Sequence, residues 1–193
     1  MQFTKTIAAA FAALMFSSGA QAAVLLSASG SPANAAIDYS APGLVSFNLD
    51  LQDLTATRLD FVLQEEDLLG PLSLSAMVLN LSGMPFSHFN FYFQGIGLVG
   101  AGSVTPAFGT LGSVKHDADS VGIHFAQAEP AELHFGNPLG LQGQADWVLD
   151  TSGLRAGDTF SIVAQVPEPS TVALVLPMLC MAGLMAARRR KKD

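Results

Sequence analysis

The sequence predicts an all-β body, a β-sandwich or jelly roll, held between an N-terminal signal peptide and a C-terminal transmembrane helix. Three observations carry that expectation. Apolar and polar residues alternate with period two through the middle of the chain. No long stretch of 3.6-residue period with caps is present. Uncharged apolar runs stand at the two ends, each flanked by the cations of a targeting segment. The chain thus divides into residues 1–22, a body over 23–165 and a tail over 166–193.

Residues 1–22 have the order of a secretory signal. Lys5 supplies the positive start, Ile7 to Phe16 the short apolar core, and Ser17-Ser18-Gly19 the break. Ala20-Gln21-Ala22 is an A-x-A site, which puts cleavage after Ala22. The apolar run is too short to span a bilayer as a retained anchor.

In the body, Val45, Phe47, Leu49 and Leu51 alternate with Ser46, Asn48 and Asp50. Leu59, Phe61 and Leu63 alternate with Asp60 and polar neighbours, and Glu65-Glu66-Asp67 ends that strand. Gly70-Pro71 marks a turn. Leu72 to Leu81 is a third strand, whose apolar phase shifts around Ala76-Met77-Val78 and suggests a bulge or burial on both faces. Phe86 to Ile96 places Phe89, Phe91 and Phe93 on one face and His88, Asn90, Tyr92 and Gln94 on the other. The glycine-rich stretch Gly95 to Gly112 reads as a short strand plus loops. Val121 to Ala126, Ala131 to Phe135, Ala145 to Leu149 and Thr159 to Val166 complete eight to ten strands. No repeat of solenoid length is visible.

The body carries three cations, Arg58, Lys115 and Arg155, against fourteen acids, a net charge of −11. That balance repels nucleic-acid phosphates, and equally anionic lipid or acidic polysaccharide unless divalent cations bridge. The body has no cysteine, so export brings no disulfide, thiol catalysis or thiolate metal site.

The tail has three parts in fixed order. Val166-Pro167-Glu168-Pro169 is a stiff, extended or turned peptide, since the two prolines flanking Glu168 cannot both sit in regular structure. Thr171 to Ala187 lacks charge, and at about 1.5 Å rise per residue such a helix spans about 26 Å, close to a hydrocarbon core. Pro177 and Gly183 are tolerated in membrane helices. Arg188, Arg189, Arg190, Lys191 and Lys192 form a cytoplasmic stop that leaves the body outside.

Val-Pro-Glu-Pro-Ser-Thr, a short apolar helix and a terminal arginine cluster resemble the PEP-CTERM protein-sorting domain of Gram-negative bacteria. The resemblance covers about the last 28 residues. It implies recognition by an exosortase, a membrane-embedded cysteine transpeptidase thought to cut near the Pro-Glu-Pro signature, in strains that typically make exopolysaccharide. Carried over by position, Pro167, Glu168 and Pro169 are the recognition motif and Arg188 to Arg190 the retention signal. Cys180, within the apolar run, is not expected to be catalytic, because that cysteine belongs to the sorting enzyme. The layout is also similar to β-rich PEP-CTERM proteins of the FxDxF type, although Phe47 to Leu51 reads F-N-L-D-L and departs at its aromatic end.

Candidate chemistry in the body is sparse. His88, His124 and His134 each precede a phenylalanine and so face solvent if those rings are buried. No two histidines have i, i+2 or i, i+4 spacing. His116-Asp117-x-Asp119 is the densest ligand set, yet it lacks the twelve-residue calcium-loop pattern. Asp50, Asp53 and Glu65-Glu66-Asp67 are the carboxylates to consider for glycoside cleavage, which needs two such groups about 5–10 Å apart. Gly95-x-Gly97 continuing to Gly100 precedes no helix, so nucleotide binding is not indicated. Trp147, Tyr39 and Tyr92 are the rings that could meet sugars, with Trp147 read as core. Asn80-Leu81-Ser82 is a glycosylation sequon by letter only.

These readings predict a non-enzymatic exported surface or matrix protein without cofactor, catalytic residue or metal ligand. An exosortase, the inner membrane before processing, and exopolysaccharide are the expected partners; nucleic acid is not. A carbohydrate- or calcium-binding β module is the alternative, and a secreted hydrolase the second.

Overall fold

The computed structural model describes residues 22–167. The signal segment up to Gln21, with Ala20, and the tail from Glu168 onward lie outside the described residues, and with them the apolar helix and basic cluster. Among the described residues no helix is long and apolar enough to cross a membrane.

The body is all-β. Its strands are β1 (Val24–Ser29), β2 (Ala35–Asp38), β3 (Leu44–Leu51), β4 (Thr57–Val62), β5 (Leu72–Asn80), β6 (Phe86–Gln94) and β7 (Gly97–Gly100). They continue with β8 (Val104–Pro106), β9 (Thr110–His116), β10 (Ser120–Glu129), β11 (Glu132–Phe135), β12 (Trp147–Asp150) and β13 (Thr159–Gln165). A six-stranded sheet has the order β1-β4-β13-β6-β10-β9. A seven-stranded sheet runs β2-β3-β5-β11-β8, with β12 joining β5 to β7.

The two sheets share one core. Phe47 of β3 meets Phe61 of β4 and Phe91 of β6 across the gap, with ring centroids 5.9 and 6.3 Å apart. Phe91 also meets Phe135 of β11 at 4.7 Å, and Phe135 stacks on Trp147 at 4.7 Å. Phe61 stacks on Phe160 of β13. Each fully buried aromatic or aliphatic side chain contributes roughly 1.5–3 kcal/mol by leaving water. The period-two pattern is therefore the fold's main driving force: β3 alternates strictly between buried and half-buried residues.

The structure resolves or departs from the sequence reading in four places. On β5, Leu72, Leu74, Ala76 and Val78 are all buried, and the register against β3 is unbroken from Ser73 to Asn80. Of the two readings, a bulge or burial on both faces, the pairing shows no bulge and Ser75 is buried on the second face. The outer face is closed only at Ser75, whose hydroxyl donates to Ser46 Oγ. Second, β3 and β5 pair in parallel, a link that an all-antiparallel jelly roll does not contain. Third, the exposed strands β1, β2 and β9 extend the sheets beyond the predicted elements. Edge strands bury little, so their sequences need not alternate. Fourth, the run that ends β4 winds into a 3-10 turn, Glu65–Leu68, and its Asp67 is buried. Asp67 accepts the Gln64 and Gly43 N–H groups.

Candidate functional site

The outer face of the six-stranded sheet is polar along its middle. Arg58 on β4 donates to Asp60 Oδ1 at 2.8 Å, to Gln94 Oε1 at 2.6 Å and to Ser161 Oγ at 2.6 Å. Ser161 donates in turn to Asp60 Oδ1, and Ser27 to Asp60 Oδ2. The Ser161 hydrogen bond, with Arg58 and Ser27 adding to it, overcomes partial desolvation and holds the Asp60 carboxyl below its ordinary range. This network crosses four strands and fixes one half of the face.

The other half carries His88, Asn90 and Tyr92 of β6 beside β10 and β9. The β6–β10 register sets His124 directly opposite His88, and their rings lie edge to face at 4.7 Å. Gly122, opposite Asn90 and Lys115, has no side chain to fill the space between them. An open groove of about 350 Å³ results, lined by His88, Asn90, Ser113, Lys115, Gly122 and His124. Gly112 makes room for the His124 ring: a Cβ there would stand 2.7 Å from His124 Nδ1. Asn90 donates to the Tyr92 hydroxyl at 3.1 Å, which presents an exposed ring next to the groove. The alternation places His88 and His124 in solvent, but their pairing leaves no local signal, because cross-strand register joins residues 36 apart.

The remaining candidates separate. His116 packs edge-on against Trp147. Asp117, Ala118 and Asp119 form the β9–β10 turn, where the Ala118 and Asp119 carbonyls accept the Leu98 and Phe93 N–H groups. Among the described residues no three His, Cys, Asp or Glu side chains are grouped as metal ligands. Asp50 lies near one end of β3, whereas Asp67 bonds to Gly43 just beyond the other. Six steps of about 3.3 Å separate these ends by about 20 Å, too far for a two-carboxylate cleavage site. Asp53 accepts hydrogen bonds from Ser31, Asn34 and the Thr55 N–H, with Ser31 contributing most to holding its carboxyl low. Gly95 turns between β6 and β7, and Gly97 to Gly100 is strand. Trp147 is buried and donates to the Ser103 carbonyl, so it is no surface platform. Asn80 is buried, with its amide nitrogen on the Met84 carbonyl, which leaves the sequon closed in the folded body. Tyr39 is exposed at the β2–β3 connection and is not part of the groove lining.

Two further contacts leave no mark in the sequence. His134 Nε2 lies against Glu132 Oε1 two residues earlier on β11. Glu129 is fully buried at the end of β10 and receives four backbone N–H groups, from Phe108, Gly109, Ala131 and Glu132. Burial pushes its pKa up, and the four amides more than reverse that, so the carboxyl stays low. It ties the β8–β9 loop to the β10–β11 turn at one end of the sandwich.

That end is where the chain leaves the fold. β13 lies between β4 and β6, with Gln165 opposite Asn90, and Val166 is still buried. Pro167 is half-buried and is the last described residue. A family model for the PEP-CTERM protein-sorting motif matches residues 165–191, from the last residue of β13 onward. This chain carries a PEP-CTERM sorting signal. Such a signal marks an exported protein that passes through a membrane-anchored stage and is sorted by an exosortase. The PEP-CTERM match begins where the β body ends, without an intervening linker. No curated protein and no solved structure matches the chain.

Proposed function

We propose that this protein is a non-enzymatic surface or matrix component, delivered by the exosortase route and contacting exopolysaccharide through the outer face of its six-stranded sheet. The observation that carries the reading is the groove beside Tyr92. The exposed Tyr92 ring, the Asn90 amide, the His88 and His124 imidazoles and the Ser113 hydroxyl stand together there on adjoining strands, beside the Arg58–Asp60 network. Sugars present both apolar C–H faces and hydroxyls, and a ring flanked by hydrogen-bonding side chains meets both.

The test is affinity electrophoresis or sedimentation of the full-length protein with exopolysaccharide from its own host, compared with the Tyr92→Ala and Asn90→Ala variants. Retention of the native protein and its loss in both variants is the expected result. Equal retention of all three proteins, or none of any, would count against the assignment.

A further inference from the structure

The two ends of the sandwich differ sharply in charge. At the exit end the strands are joined by residues 30–34, 52–56, 81–85, 107–109 and 130–131. Those connections contain one charged residue, Asp53, already held by Ser31, Asn34 and Thr55. Glu129 is also there but is buried and fully hydrogen-bonded. The opposite end is joined by 39–43, 63–71, 95–96, 117–119 and 151–158, and carries Glu65, Glu66, Asp117, Asp119 and Asp158 among its charges.

The exit end also exposes large apolar side chains. Leu81 is 50%, Met84 56% and Phe108 70% exposed. They stand on neighbouring loops: Asn80 holds the Met84 carbonyl, Glu129 holds the Phe108 N–H, and Glu129 pairs with Phe86 at the start of β6. Gln165 is opposite Asn90, four residues from that start, so the chain after it heads for the same rim. From Pro167 to the uncharged stretch beginning at Thr171 is four residues, a reach of at most about 14 Å.

We infer that this rim rests on the lipid surface while the protein is membrane-anchored, with Leu81, Met84 and Phe108 in the interfacial layer. The inference rests on the membrane-anchored stage that the sorting signal implies. A tether this short holds the exit end against the headgroups, whose layer is about 5–7 Å thick on each side of the hydrocarbon. Interfacial apolar side chains then gain by leaving water. A body of net charge −11 would be repelled by an anionic leaflet, but the repulsion falls off over a Debye length of about 8 Å at physiological salt. Placing the acidic loops at the far end removes most of that cost. Contact with lipid would also present the Pro-Glu-Pro peptide at the membrane surface, where a membrane-embedded enzyme works.

The test uses the full-length chain in vesicles of phosphatidylethanolamine and phosphatidylglycerol. In a Cys180→Ser background, an environment-sensitive fluorophore is placed by Met84→Cys, Phe108→Cys or Leu69→Cys. Leu69 is the control: it is 84% exposed and lies at the far end. A lipid-borne quencher should extinguish the probes at 84 and 108 and leave the probe at 69 bright, while a water-soluble quencher should give the reverse. If the protein floats with the vesicles but all three probes report water, the rim contact is wrong and the anchored stage stands. If the protein does not float with the vesicles, the anchored stage and the rim contact fall together.

Discussion

The two faces of the six-stranded sheet are built by the same strands and do opposite work. Along β6, Phe89, Phe91 and Phe93 point into the core and are at most 4% exposed, while His88, Asn90, Tyr92 and Gln94 stand outside. The inner face is redundant in chemistry: any well-fitting apolar side chain would serve. The outer face is specific, since neither an imidazole pair nor a notch at Gly122 is needed to hold the sheet together. The difference separates the face that stabilises the fold from the face proposed for contact, and substitutions graded from core to surface should reproduce it.

Phe91→Ala should have the largest effect. It removes a ring that touches Phe47, Phe89 and Phe135, and should cost about 3–5 kcal/mol in chemical denaturation. A loss below about 1 kcal/mol would mean that the sheets do not meet at this ring.

Glu129→Gln should follow, at about 2–3 kcal/mol, because an amide cannot accept from all four N–H groups. The native value of Glu129 lies below its ordinary 4.5, so the unfolded chain binds the proton more readily. Its contribution is complete above that ordinary value and is lost as pH falls through the lower native one. The stability difference between native protein and variant should therefore shrink on acidification and stay constant above neutrality; a difference that grew in acid would reverse this assignment.

Arg58→Ala on the outer face should cost no more than about 1 kcal/mol, since the Arg58–Asp60 pair is partly exposed. His124→Ala should change stability by less than about 0.5 kcal/mol. A larger loss in either would show that the outer face is structural after all, and would weaken its reading as a contact surface.

Much of this organisation was legible in the sequence where burial is one-sided. β3, β4 and β6 announce themselves because one face enters the core and the other meets water. Apolar Val24 and Leu26 on β1, by contrast, are exposed at a sheet edge and carry no alternating signal. Register was hidden throughout. The parallel β3–β5 pair and the His88–His124 contact depend on which strands become neighbours, which no local pattern encodes. Glu129 looks like any surface acid until two loops close around it. The sorting signal was plain because its recognition depends on order along the chain rather than on folding.

The central claim is that the β body is exported and released through its C-terminal signal. Intact mass and fractionation from the native host, with Pro167→Ala and Pro169→Ala as comparisons, test it most directly. The account predicts a native product that starts near Ala23, ends near the Pro-Glu-Pro motif and has left the inner membrane, with both variants retained. A product still extending to Asp193 in the inner membrane, and indifferent to the proline changes, would contradict it.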